Sequence, residues 1–245
     1  MEDLATPAST PSATAPGVGP AWPFVRRFFA TFASPRSLFE ELAERPSWLM
    51  PALLFALLSF ALVAILWDPV ILPEQLERME AAGRNTEQVA AMLSGPFKYV
   101  QFAIGTVAAF GMLFLIALGA FVVGNFLLGG SLTYRQALSV IAHSSLVAVP
   151  SSIVRIPLSL ASKTMQVSFG PGAFFPPASA EGFGAKFFAF FLQNLDLFVL
   201  WQVGLVALGV SVAGRLPLGK AAWGIGLLFL VFALVASCIG ALVPR

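Results

Sequence analysis

Long apolar runs constrain this chain more than any other feature. They occupy residues 48–67, 99–128, 136–161, 187–213 and 221–243. About 20 such residues at 1.5 Å helical rise match the roughly 30 Å hydrocarbon layer of a bilayer. Composition agrees: 58% of residues are hydrophobic and 11% charged, against about 45–50% and roughly 25% in soluble domains. Mean hydropathy is +0.86. The expected fold class is all-α: a polytopic transmembrane helical bundle of about five spans, filling residues 48–245.

Before the first run, residues 1–21 are rich in Pro, Ala, Ser and Thr. They hold too little apolar surface to offset ordering entropy, so a disordered tail is expected. Their acidic start (Glu2, Asp3), with no short apolar core following, is unlike a signal peptide. Residues 22–47 change character. Phe24, Phe28 and Phe32 recur every fourth position, with Arg26 and Arg27 between them. Two placements fit: an amphipathic helix lying in the membrane interface with its guanidinium groups toward headgroups, or a cap packed on the bundle. Ser34-Pro35 looks like an N-cap and first-turn proline opening a second short helix.

Trp48 and Trp67 bracket the first run as an aromatic belt would. Residues 68–96 are polar and predict a short helical hairpin or cap outside the membrane, broken near Gly83. Gly105 with Ala109, and Ala120 with Gly124, have the spacing that lets membrane helices approach closely. The distribution of Lys and Arg gives seven basic residues inside and six outside if the N-terminus is cytoplasmic. Arg26, Arg27, Arg36 and Arg45 all precede the first span, where the positive-inside rule is strongest, so N-inside is expected. The expected location is a cell membrane.

The third and fourth runs carry polar groups that hydrocarbon penalises by roughly 2.5–3.5 kcal/mol per charge. On an unbroken fourth helix, Asp196 lies about 15 Å beyond Lys186, near the midplane. Gln193, Asp196, Leu200 and Gly204 would then share one inward face, beside Asn194. The third run offers His143, Ser144, Ser151 and Arg155. Asp196 could pair with His143, or with Arg155 if Pro150 interrupts the helix. The cluster could fix helix register, line a proton or solute path as in a small transporter or channel, or catalyse. Catalysis needs paired aspartates, a serine with its base, or an HExxH motif. The chain has one intramembrane aspartate, one histidine and no HExxH, so neither catalytic residue nor enzyme activity is expected.

Cys238 has no companion for a disulfide or a metal. No GxxxxGK[ST] motif or basic patch points to nucleotide or nucleic acid, and no cofactor is expected. The lipid bilayer is the partner that composition implies.

Three stretches resemble the Yip1-domain family of multi-pass membrane proteins: SPRSLFEELAERPSWLMPALL at 34–54, LTYRQALSVIAHSSLVAVP at 132–150 and NLDLFVLWQVGLVALGVSVA at 194–213. The resemblance implies a five-helix bundle with a cytoplasmic N-terminus and a membrane-organising or partner-binding role, and it brings no catalytic residue. Eukaryotic relatives are associated with Rab-type GTPases and carry an Asp-Leu-Tyr-Gly-Pro signature. That signature is missing here, which puts small-GTPase binding in doubt; the chain looks more like the bacterial branch, and the resemblance thereby implies a bacterial inner membrane.

Overall fold

A computed structural model describes residues 22–242 except Ala82 and Arg84. The tail expected at residues 1–21 lies outside the described residues. Helices joined by turns make up the described chain, with no strand among them.

Two short helices come first, α1 (Phe24–Ala33) and α2 (Pro35–Glu44). Pro35 opens α2, although the Ser34 side chain makes no cap bond. One side of α2 sinks into the bundle, leaving Leu38 and Phe39 0% and Leu42 1% exposed.

The first span begins as α3 (Leu49–Leu66) and does not stop at Trp67. It widens through a π-helical turn at Trp67–Ile71 and continues as α4 (Leu72–Ala81). Pro69 and Pro73 lack the N–H groups that α-helical bonds need, and a wider turn accommodates such gaps. Trp67 is turned inward, donating its Nε1–H to the Leu93 carbonyl at 3.2 Å. Leu93 belongs to α5 (Thr86–Ser94), which returns from α4 through Gly83 at φ +70°. The predicted hairpin is present, growing directly from the first span.

The second crossing is α6 (Phe97–Val122), ending in another π-helical turn at Val123–Leu127. Here Asn125 closes the following loop by bonding both the N–H and the carbonyl of Leu132, at 2.7 and 2.6 Å. Of the two small-residue pairs, Ala120 and Gly124 are buried, whereas Gly105 faces open space.

The third crossing runs from α7 (Tyr134–Ser144) to α8 (Ala148–Ser162) through a single 3-10 turn at Ser145–Val147. Pro150 sits in the first turn of α8, where that tighter turn absorbs its missing donor, so the path tightens without breaking. Thr133 and Gln136 form a reciprocal capping box at its start.

An unbroken fourth helix was expected. Instead α9 (Gly182–Asn194) and α10 (Leu197–Ala213) meet at a 60° bend around Leu195 and Asp196. α11 (Leu218–Leu242) completes the chain.

Four helical paths are individually long and apolar enough to cross a membrane, and the bent pair is the fifth candidate. Its role follows from its ends. Ser131 N–H bonds the Gly214 carbonyl on the face that holds α1 and α2, and Met165 N–H bonds Glu74 on the opposite face. The chain must therefore recross between α8 and Gly214, through α9 and α10. The core lies where α2, α7 and α10 meet. There a Cβ on Gly209 would stand 2.4 Å from Val140 Cγ1 and 3.1 Å from Phe39 Cδ1. Only glycine lets the three helices approach this closely.

Candidate functional site

Asp196 caps α10, its Oδ1 accepting the Phe198 N–H at 2.9 Å. Aspartate suits this position because it satisfies a free helical N–H and complements the positive helix end. Its Oδ2 accepts the Phe169 N–H at 2.8 Å and Arg155 Nη2 at 3.2 Å. Arg155 in turn donates from Nη1 to the Val167 carbonyl at 2.7 Å. Of the two open partners for Asp196, the geometry selects Arg155.

The Gly/Pro/Phe-rich segment after α8 makes this arrangement possible by pressing backbone against backbone. A Cβ on Gly170 would lie 2.1 Å from the Leu195 carbonyl oxygen, and one on Gly172 would lie 2.9 Å from Gln193 Cα. Gln193 Nε2 donates to the Gly172 carbonyl at 2.8 Å. The Phe169 and Phe198 rings meet edge to face at 5.4 Å, and the Arg155 guanidinium lies over Phe169 at 5.5 Å. Asp196, 2% exposed, is thus enclosed by a loop, two helix ends and a cation. Depth also differs from the expectation of a midplane position. Asn194 bonds Ser237 Oγ at 3.4 Å, and Ser237 lies in the last turns of α11. The cluster therefore sits toward the membrane face opposite α1 and α2.

The remaining polar groups are not gathered around Asp196. His143 is fully buried in α7, with Nδ1 2.9 Å from the Ser139 carbonyl and Nε2 without a partner. Ser144 Oγ is likewise buried and unpartnered, and Ser151 is half-buried on α8. Gln202 reaches across from α10 to Ser145 Oγ at 3.3 Å. Beside it a groove of about 620 Å³ runs between α6, α10 and α11, with Asn194 and Gln202 as its polar lining; Asp196 does not border it.

At the other face, the expected lipid-contacting set divides. Arg26 is exposed and lies over the Trp22 ring at 3.9 Å. Arg27 turns inward, 8% exposed, bonding Ser47 and pairing with Glu41 at 2.5 Å. Phe24, Phe28 and Phe32 are half-buried, Phe32 stacking edge to face on Trp201 of α10. The outward apolar residues of α1 are Val25 and Phe29, 64% and 63% exposed. A period of four through three phenylalanines marked the inner side of the helix, because in this setting aromatics also pack on protein.

Sequence reasoning missed Glu41, Ser47 and the bond from Gln136 Nε2 to the Ala43 carbonyl, 2.6 Å, which pins α7 to the end of α2. The T-x-x-Q spacing before an apolar run was the available signal for Thr133 and Gln136. No spacing rule links Arg27 to Glu41 across two helices.

A family model described as the Yip1 domain matches residues 29–239. No curated protein and no solved structure matches the chain.

Proposed function

This chain belongs to the Yip1 domain family, and from that premise we propose that it is a non-enzymatic membrane scaffold, organising lipid or binding partners without carrying a solute. The observation that carries this proposal is the state of Asp196. Transport through it would require a carboxylate free to exchange protons or partners. Here all its bonds go to the fold: two backbone N–H groups and one guanidinium. The charged pair closes a loop onto a helix break, which is structural work.

In the same proposal the N-terminal face is cytoplasmic, in a membrane of the bacterial inner type. Arg26, Arg36, Arg135, Arg215 and Lys220 gather on the loops and helix ends of that face, as the positive-inside rule favours. Small-GTPase binding is left out, since the Asp-Leu-Tyr-Gly-Pro signature is missing. The surface offered to lipid or partner is the outer side of α1, where Val25 and Phe29 flank Arg26.

The test pairs two measurements on the full chain. In reconstituted vesicles, wild type and Asp196→Asn should show the same baseline flux of protons and small solutes. A flux in wild type that Asp196→Asn abolishes overturns the scaffold. In cells, Val25→Ser with Phe29→Ser should leave the bundle inserted while changing its cross-linked neighbours or the membrane's morphology; no change in either counts against α1 as the working surface.

A further inference from the structure

A cavity of about 440 Å³ opens between α1, the start of α3 and the start of α7. Its polar lining is Arg27, Ser47 and Arg135, and its apolar walls include Trp48, Leu49 and Met50. Two guanidinium groups from helices far apart in sequence therefore border one space. Arg27 is 8% exposed, and its Nε is buried without a hydrogen-bond partner. Glu41 offsets the Arg27 charge through Nη2. Arg135 is exposed, and among the described residues its guanidinium has no hydrogen bond or ion pair. The site is short of one negative charge.

We propose that this cavity holds the phosphate of an anionic phospholipid, with Arg135 and Arg27 as its cationic walls. The free Arg135 fork can meet two phosphate oxygens at once, giving orientation as well as charge, while Arg27, held by Ser47 and Glu41, contributes only its remaining N–H groups to the adjoining wall. The apolar wall selects a lipid over a free anion. Leu49 and Met50 are 51% and 61% exposed, and Leu53, one turn further along α3, is 49% exposed. They extend from the cavity along α3 as a track for an acyl chain, which a bare phosphate could not use. The uncompensated Arg135 disfavours a zwitterionic headgroup, whose ammonium would add a third cation. This inference does not depend on the scaffold proposal; it requires only that the bundle lie in a bilayer.

The test is native mass spectrometry of the purified full chain in detergent micelles. Phosphatidylglycerol and phosphatidylcholine of matched acyl chains are added, separately and against inorganic phosphate. Phosphatidylglycerol should be retained preferentially, and Arg135→Gln should weaken it about tenfold, the value of one lost charge-assisted contact. Lys220→Gln, an exposed cation at the start of α11 on the same face but outside the cavity, should bind as wild type does. If Arg135→Gln does not remain monodisperse, Arg135→Lys is read in its place, and a loss of about threefold is expected because the charge remains while the fork is lost. Four results overturn the proposal: unchanged binding in the Arg135 variant, equal loss in Lys220→Gln (diffuse surface attraction), equal retention of phosphatidylcholine, or displacement of the lipid by equimolar inorganic phosphate.

Discussion

Tyr134–Ser162 and Leu49–Ala81 both cross the hydrocarbon layer, yet 72% of the most apolar stretch of the first is buried against protein and only 17% of that of the second. Their compositions follow that difference. The central path carries Ser139, His143, Ser144, Ser145 and Ser152, all buried, whereas the α3 part of the outer path holds one polar residue, Ser59, bonded to its own helix. Lipid tails are as apolar as leucine, so burial in a membrane does not sort residues by hydrophobicity as water does. It sorts them by whether protein or lipid surrounds them, and polar residues mark the protein-facing side. α7, which lies at the core, is accordingly richer in polar residues than the outward-facing α3.

The largest effects that could break this comparison lie inside the bundle. Leu38→Ala, at 0% exposure, should cost about 2–5 kcal/mol in detergent-based unfolding. Asp196→Leu should cost about 3–5 kcal/mol, because Arg155 is left as an unpaired charge, and adding Arg155→Met should restore part of the loss. A double variant no more stable than Asp196→Leu would show that the backbone bonds at Phe169 and Phe198 matter more than the ion pair.

Gly170→Ala comes next, at about 1–3 kcal/mol, since its methyl group must displace the loop from the Leu195 carbonyl. Faster proteolysis within residues 163–181 would report that displacement, and an unchanged cleavage pattern would argue against the loop as a clasp.

On the outer helix, Leu57→Ala at 65% exposure should shift stability by no more than about 0.5 kcal/mol. A cost there similar to that of Leu38→Ala would mean that α3 packs on a second protein surface in the membrane. Of smallest magnitude is Ser144→Ala. Removing a buried hydroxyl that has no partner should be neutral or stabilising, by up to about 1 kcal/mol, and a clear loss would reveal a bond to Oγ.

The helical class and most span positions were legible in the sequence because hydrocarbon thickness sets run length directly. The hairpin after the first span was also legible, since Gly83 and the charged residues around it have local meanings. The site was only partly so. Arg155 and Asp196 were recognisable as costly residues in an apolar setting, but their partner choice depended on a helix break. Asp196 read as a mid-helix residue because its flanks are apolar on both sides, and an aspartate inside such a run gives no separate sign that it is a cap. Arg27 read as a surface charge for a similar reason: its companions Ser47 and Glu41 lie on other elements.

Run length, composition and the chemistry of single residues thus determined that this protein is a multi-pass helical bundle, and which of its groups would need shelter. Only the tertiary structure decided who shelters whom: the 60° bend that makes Asp196 a cap, the loop that closes over it, and the inward turn of Arg27. The physical reason is range. Partition into hydrocarbon acts on each segment by itself, while a hydrogen bond between residues 155 and 196, or 27 and 41, exists only after independent segments have packed at one particular angle and depth.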